Sequence, residues 1–283
     1  MICILKFWVF CLVACWISNP LFSQSTTVAT YNIRYDGHTD LANDWSERKV
    51  PISQYVLKNE IDIIGFQEVL INQLDDLSSL LPSYKDVGVG RDDGIDKGEF
   101  SPIFYDTTKF DLLRSGTFWL SPTPNIPSKG WDAALNRICT YALFENKLNS
   151  ELTWVFNTHF DHVGIEARFQ SSELILDQIA ANLQEKDAPV LLLGDFNMEP
   201  TDQGIQLIQS QLRDLSCSLR HPELCSENTF NAFTSSPLDD KRIDYLFGSS
   251  NILTRSSVVD KQTFGLSFPS DHFPLLITFQ ILR

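Results

Sequence analysis

Short apolar runs and longer amphipathic stretches alternate along most of the chain. TTVATYNI (26–33) is β-branched and aromatic with polar residues at its end, which predicts a strand. IDIIGFQEV (61–69) and PVLLLGDFN (189–197) are nearly continuous apolar runs, the pattern of strands buried on both faces. Further strands are expected around 84–90, 102–105, 116–120, 139–144, 152–159, 243–247, 257–260 and 274–281. Ile71, Leu74, Leu77 and Leu81 share one helical face, as do Phe169, Ile175, Ile179 and Leu183 within 166–183. A third helix is expected near 203–211. A fourth, within 46–59, is expected to begin near Val50, because Pro51 suits a first turn and costs a backbone hydrogen bond deeper in. Strands outnumber helices and the helices are spread through the chain. That pattern fits an α/β fold, a four-layered sandwich of two packed, mainly antiparallel sheets flanked by helices. Residues 121–131, with three prolines, and 218–242 are expected to form long loops around a site.

The first 25 residues break this alternation. Lys6 precedes FWVFCLVACWI, too short to span a bilayer and suited to the apolar heart of an export signal cut near Ser23 or Ser25. The expectation is a signal peptide over 1–25 and a secreted or periplasmic protein. The alternative is a lipoprotein signal, LVAC, with Cys15 lipidated; only that version touches a membrane. Residues 26–283 show no Gly/Ser linker and no block of like charge, so they read as one domain. Of the cysteines outside the signal, Cys217 and Cys225 are near enough to close a small loop in an oxidising compartment. Cys139, within RICTYALF, reads as buried and inert. The formal charge of -14 lacks the basic stripe that holds a duplex, which disfavours a nucleic-acid substrate.

Candidate chemistry sits where the apolar strands run out. Asn32 ends the first strand and Glu68 the second; His159 closes WVFNTHF. Asp195 and Asn197 follow VLLLG, Asp244 lies in RIDYLF, and Asp271 and His272 precede FPLLITF. Ionised carboxylates on strands buried on both faces need a partner or a cation. GDFN is also the grammar of an Asx-turn; if strand geometry continues through Phe196, Asp195 and Asn197 point the same way. Asp244 has Lys241 or Arg242 as a simple alternative partner. Hard oxygen donors suit magnesium or manganese. GVGRDDGIDKG (88–98) is glycine-rich but lacks the Lys-Ser/Thr of a nucleotide loop, and no G-x-S-x-G is present.

YNIRY (31–35), IIGFQEV (63–69), NTHFDH (157–162), GDFNMEP (194–200), RIDYLF (242–247) and SDHFPL (270–275) resemble, in order, the motifs of the endonuclease/exonuclease/phosphatase superfamily. The stretch from Pro102 to Ser121 resembles its small exported bacterial members. The resemblance implies that Glu68 binds a divalent cation, Mg2+ or Mn2+, assisted by Asn32 and Asp271. It implies that Asp195 orients and deprotonates water and that Asn197 holds the phosphate or that water. His272 contacts the phosphate, oriented by Asp244, and His159 lies across from it. Arg34 and Arg137 become phosphate clamps, and Arg168 orders the loop bearing Asp161 and His162. Arg34 stands where the abasic-site enzymes carry an acid. The favoured expectation is a metal-dependent phosphoesterase hydrolysing a phosphate ester by direct attack of water. The alternatives are a secreted endo- or exonuclease acting on DNA or RNA, and an inactive binding protein of the same fold.

Overall fold

The computed structural model describes residues 25–37, 43–217, 227–235, 241–263 and 268–282. The export segment with Cys15 lies outside them, as does Cys225. Two six-stranded sheets organise the chain. The first runs β11 (Ile252–Val259), β12 (Leu275–Ile281), β1 (Thr26–Asn32), β2 (Ile63–Gln67), β4 (Ile103–Asp106), β3 (Tyr84–Val87). The second runs β5 (Phe110–Trp119), β6 (Ile138–Asn146), β7 (Leu152–His159), β8 (Val190–Asp195), β10 (Asp244–Gly248), β9 (Arg213–Asp214). Each holds one parallel pair, β1 with β2 and β7 with β8; the other pairings are antiparallel. Helices α1 (Trp45–Lys58) and α2 (Ile71–Leu80) pack on the first sheet through Ile52, Val56 and Leu77. Helices α3 (Ile165–Glu185) and α4 (Gln203–Gln209) pack on the second through Ile175, Ile179, Ile205 and Ile208. The result is the expected layered α/β sandwich.

Strand alternation decides what the gap between the sheets contains. Val28, Ile63, Val155, Leu191, Leu193, Leu246, Leu275 and Ile277 face inward and form one core, while their neighbours Ala29, Ile64, Trp154, Leu192 and Phe247 belong to the two helix-covered cores. Following each inward row to its end leads to Asn32 on β1, His159 on β7, Asp195 on β8 and Asp244 on β10. One parity rule brings all four to the same end of the gap. Gly65 sets how closely the sheets approach: a Cβ there would lie 2.1 Å from Leu193 and 2.6 Å from Asn157. Beside it, Asn157 donates to the carbonyls of Phe66 and Pro102, both at 2.8 Å, and accepts from Gln67 at 2.7 Å. This buried amide pair bolts the sheets together behind the site.

Several local expectations change. Helix α1 begins at Trp45 rather than near Val50, with Asp44 capping Ser46 N at 2.8 Å and Pro51 inside the helix. The early start is held by tertiary contacts. Arg48, in the first turn and buried, donates to the carbonyls of Ile33, Arg34, Asn43 and Pro269. Those bonds outweigh the one that Pro51 cannot donate. Ile71 stays exposed although it shares a face with buried Leu77. Strand β5 starts six residues earlier than expected, and the short β9 was not expected from the pattern. Cys139 is buried and free, its thiol pushed up by burial, and Cys217 is disulfide-bonded.

Candidate active site

Around the shared end of the inward rows opens a pocket of about 720 Å³, walled by Arg34, Glu68, Arg137, His159, Asp195 and His272, with Asn197 and Asp271 also in its lining. Asn32 and Asp244 stand behind this wall, almost wholly buried. All ten residues singled out from the sequence therefore meet at one place.

Asn32 is the hub. Its amide donates to Glu68 Oε1 at 3.1 Å and to Asp195 Oδ2 at 3.0 Å, and its oxygen accepts from Arg34 N at 3.0 Å. Glu68 Oε2 accepts from Tyr35 N at 3.0 Å. The Arg34 guanidinium lies between Glu68 (3.7 Å) and Asp271 (3.8 Å). Arg34, Glu68 and Asn197 all have left-handed backbone, with φ of 58°, 61° and 48°. Strain of this kind persists where the surroundings over-determine it, commonly at functional sites. It also corrects the alternation argument for Asn197. Strand geometry does not continue through Phe196; an Asx-turn, Asn197 N donating to Asp195 Oδ1 at 2.9 Å, brings both side chains into the pocket.

Two histidines flank the Asp195 carboxylate, His159 Nε2 at 3.5 Å and His272 Nε2 at 3.8 Å. They differ in charge. Burial opposes protonation of His272, but Asp244, bonded to its Nδ1 at 2.9 Å, outweighs that and raises its pKa to about 10. Burial, reinforced by Arg137 and Arg91, pushes His159 well below the usual histidine range, so its ring is neutral. Asn197 Nδ2 sits 3.1 Å from His159 Nε2 and donates to it, which puts the ring proton on Nδ1, facing Glu99 at 3.8 Å. Burial and the neighbouring Asp244 push Asp195 up to about 7. Arg242 does not pair with Asp244; it pairs with Asp214 at 2.5 Å.

On the far wall Arg137 is buried, its Nε 3.4 Å from Asp161, and its Nη1 has no hydrogen-bond partner. Backbone N–H groups of Gly164 (2.8 Å) and Val163 (3.0 Å) reach Asp161 Oδ1. Against the opposing effect of burial, such bonds hold its carboxyl well below the usual range. Arg168 donates to Asp161 O at 3.1 Å and fixes the same loop. Glu99 and Arg91 were missed from the sequence. The glycine-rich stretch 88–98 cradles no phosphate grammar, but it delivers Arg91 to a bidentate pair with Glu99 (2.8 and 2.9 Å) beside His159. An acid at the boundary between that turn and the next apolar run was the available signal. The loop 121–131, expected at the site, lies elsewhere, although the segment after it supplies Leu135 and Arg137.

The carboxylates outnumber their cations. Burial and Glu68 push the Asp271 carboxyl up, with His272 opposing. Asp244 Oδ1 is buried without a hydrogen-bond partner. A divalent cation relieves such an imbalance, so the donor set fits one. Two groups could hold it: Asn32, Glu68 and Asp271, or Asp195, Asp244 and His272, whose donor atoms lie within 4.8 Å of one another. His272, protonated and bonded to Asp244, is a donor rather than a ligand in its present state.

Residues 29–272 match the model of the endonuclease/exonuclease/phosphatase family. The chain belongs to that family. Its clustered carboxylates and histidine could hold a divalent cation, the donor set of a metal-dependent phosphoesterase. Among solved structures, a family protein from Bacteroides thetaiotaomicron superposes with a TM-score of 0.85 at 38% identity, covering 91% of this chain and 98% of its own. A mannosyl-6-phosphatase from Bacteroides thetaiotaomicron VPI-5482 gives 0.84 and 38%, covering 90% and 99%. Mouse nocturnin is 23% identical over 261 residues, covering 83% of this chain and 58% of that protein. The chain spans between about a third and three fifths of the length of the curated relatives it matches.

Proposed function

We propose that this chain is an exported, Mg2+- or Mn2+-dependent phosphatase that hydrolyses a phosphomonoester carried on a sugar, and that it is one of the small exported bacterial members of the family. The observation that carries the reading is the Asp195 carboxylate, held by Asn32 and Asn197 and flanked by one neutral and one charged histidine. The acidic chain, -14 overall, disfavours a polyanionic substrate. The relative described as a mannosyl-6-phosphatase favours a sugar as the leaving group.

In this reading Glu68, Asn32 and Asp271 would hold the cation, which when bound would supply positive charge against the phosphoryl oxygens. Asp195 takes a proton from the attacking water as the water oxygen bonds phosphorus and the P–O bond to the sugar breaks, the departing sugar oxygen taking a proton from solvent; a pKa raised to about 7 suits a general base. Asn32 and Asn197 leave that carboxylate one orientation. His272 donates Nε2–H to a phosphoryl oxygen, kept charged by Asp244. His159, neutral, accepts at Nε2 from Asn197, whose other N–H goes to Phe160 O, so that its amide oxygen is left to accept from the attacking water. Arg137 offers its unpartnered Nη1, and Arg34 a second guanidinium, to the remaining oxygens.

The test is phosphate release by the purified mature chain with Mg2+ or Mn2+, on mannose 6-phosphate and other sugar phosphates beside a phosphodiester and a supercoiled plasmid. Release from the monoesters is expected. Plasmid nicking without monoester turnover would transfer the assignment to a nuclease.

A further inference from the structure

A second depression, of about 570 Å³, lies outside the catalytic pocket between the 121–131 loop and helices α3 and α4. Trp131 lines it, with Gln170, Glu173 and Asp177 from α3 and Gln211 just beyond α4. Trp131 adopts left-handed backbone, φ 44°, a conformation that a bulky residue rarely holds. Its neighbours fix it there. Gly130 packs so closely on Leu120 O that a Cβ would sit 2.2 Å away, and Asp132 accepts from Ala167 N at 2.7 Å at the start of α3. The indole N–H groups of Trp45, Trp119 and Trp154 all donate to protein acceptors, whereas that of Trp131 has no acceptor among the described residues.

The lining joins an apolar floor of prolines and leucines, Leu174, Leu176 and Leu207 among them, to a half-buried indole, two amides and two carboxylates that form no ion pair among the described residues. No lysine, arginine or histidine is among them. A polyanion is repelled by this surface, and an apolar segment would bury two carboxylates without partners. A sugar satisfies each group. Its C–H face packs on the indole, while its hydroxyls donate to carboxylates and meet the N–H of indole and amide.

Three stretches of chain contribute to both depressions. Residues 130–137 put Trp131 in the outer groove and Leu135 and Arg137 in the catalytic pocket. Helix α3 places Arg168 in the pocket and Glu173 and Asp177 in the groove, roughly 7–14 Å farther along its axis at about 1.5 Å per residue. The stretch after β8 contributes Asp202 to the first and Leu207 to the second.

We propose that the outer groove is a carbohydrate subsite, binding neutral sugar units of an extended glycan whose phosphate ester occupies the catalytic pocket. The proposal rests on the sugar-phosphatase reading and deepens it from a monosaccharide phosphate to a phosphorylated oligosaccharide.

Two measurements on the full chain separate the proposal from the reading beneath it. Calorimetric titration with an unphosphorylated manno-oligosaccharide probes the groove without catalysis. Kinetics on mannose 6-phosphate and on a phosphorylated manno-oligosaccharide probe its use. For Trp131→Ala the expectation is a roughly tenfold loss of oligosaccharide affinity and a similar rise in KM for the longer substrate, the scale of one aromatic contact. Its kcat, and both constants on mannose 6-phosphate, stay as in the parent. The exposed pair Glu173→Gln with Asp177→Asn should shift the same constants and guards against misfolding of the tryptophan variant. Oligosaccharide binding without turnover of any sugar phosphate would uphold the groove and remove the activity. No binding by the parent chain, or equal losses on short and long substrates, overturns the proposal.

Discussion

Asp195 shows how much one residue's behaviour depends on those touching it. Alone in water its carboxyl would be a weak base; here burial and the nearby Asp244 raise it to about 7, and Asn32 and Asn197 hold its two oxygens. Asp195→Asn keeps the shape and removes the proton acceptor, so kcat should fall by roughly 10²–10⁴, the usual general-base contribution, with an unchanged melting curve. His272→Ala should cost kcat on the same scale. An Asp195→Asn protein of full activity would end the assignment. The pH dependence follows from the same groups. Asp195 must be ionised to accept a proton, so kcat/KM should climb as pH rises through about 7. His272 must be protonated to donate, so activity should fall as pH passes about 10. A cation favours the ionised carboxylate, so higher Mg2+ should move the acid limb downward. A limb indifferent to metal would argue that the titrating group lies away from the cation.

At the scale of elements, the sequence told strands from helices well because burial period and residue shape agreed. β1, β2, β8 and β12 lie where their apolar runs predict, since strands buried on both faces leave little freedom in composition. Helix α1 was misplaced because its first turn is fixed by Arg48 reaching carbonyls as distant as Pro269, which no local window contains. The amide pair Gln67–Asn157 and the bare Gly65 escaped for the same reason: each makes sense only with the opposite sheet in place. Gly65→Ala should therefore destabilise by about 1–3 kcal/mol, as overpacking does, read as a lower urea midpoint at unchanged slope. A neutral substitution there would mean that the sheets part more easily than their packing suggests.

For the molecule as a whole, the excess of carboxylates at one end makes folding and metal binding a linked equilibrium. A cation that binds only the native state at one hundred times its Kd adds about 2.7 kcal/mol, worth roughly 5–10 °C in Tm for a domain of this size. Mg2+ or Mn2+ should raise Tm by that order, and Glu68→Gln should blunt the rise and increase the metal concentration needed. An unmoved Tm across millimolar Mg2+ and Mn2+ would contradict the donor set. Three stretches of chain contribute to both pockets, so the proposed choice of longer substrates would belong to the assembled fold rather than to any motif.

Taken alone, the chain's order of residues determined the layering, the family resemblance and the ten polar positions that converge on the pocket. Eight were legible because charged or polar side chains closing apolar strands are costly without a purpose, and alternation says which way Asn32, His159, Asp195 and Asp244 face; Arg34 and Arg137 came from the resemblance. Tertiary structure decided the rest. Glu99 and Arg91 reach His159 from a glycine-rich turn whose destination is not written locally. Asn197 enters through an Asx-turn and a left-handed backbone rather than by strand parity. The protonation states of the two histidines, and the groove beside Trp131, arise only when distant segments share one low-dielectric space.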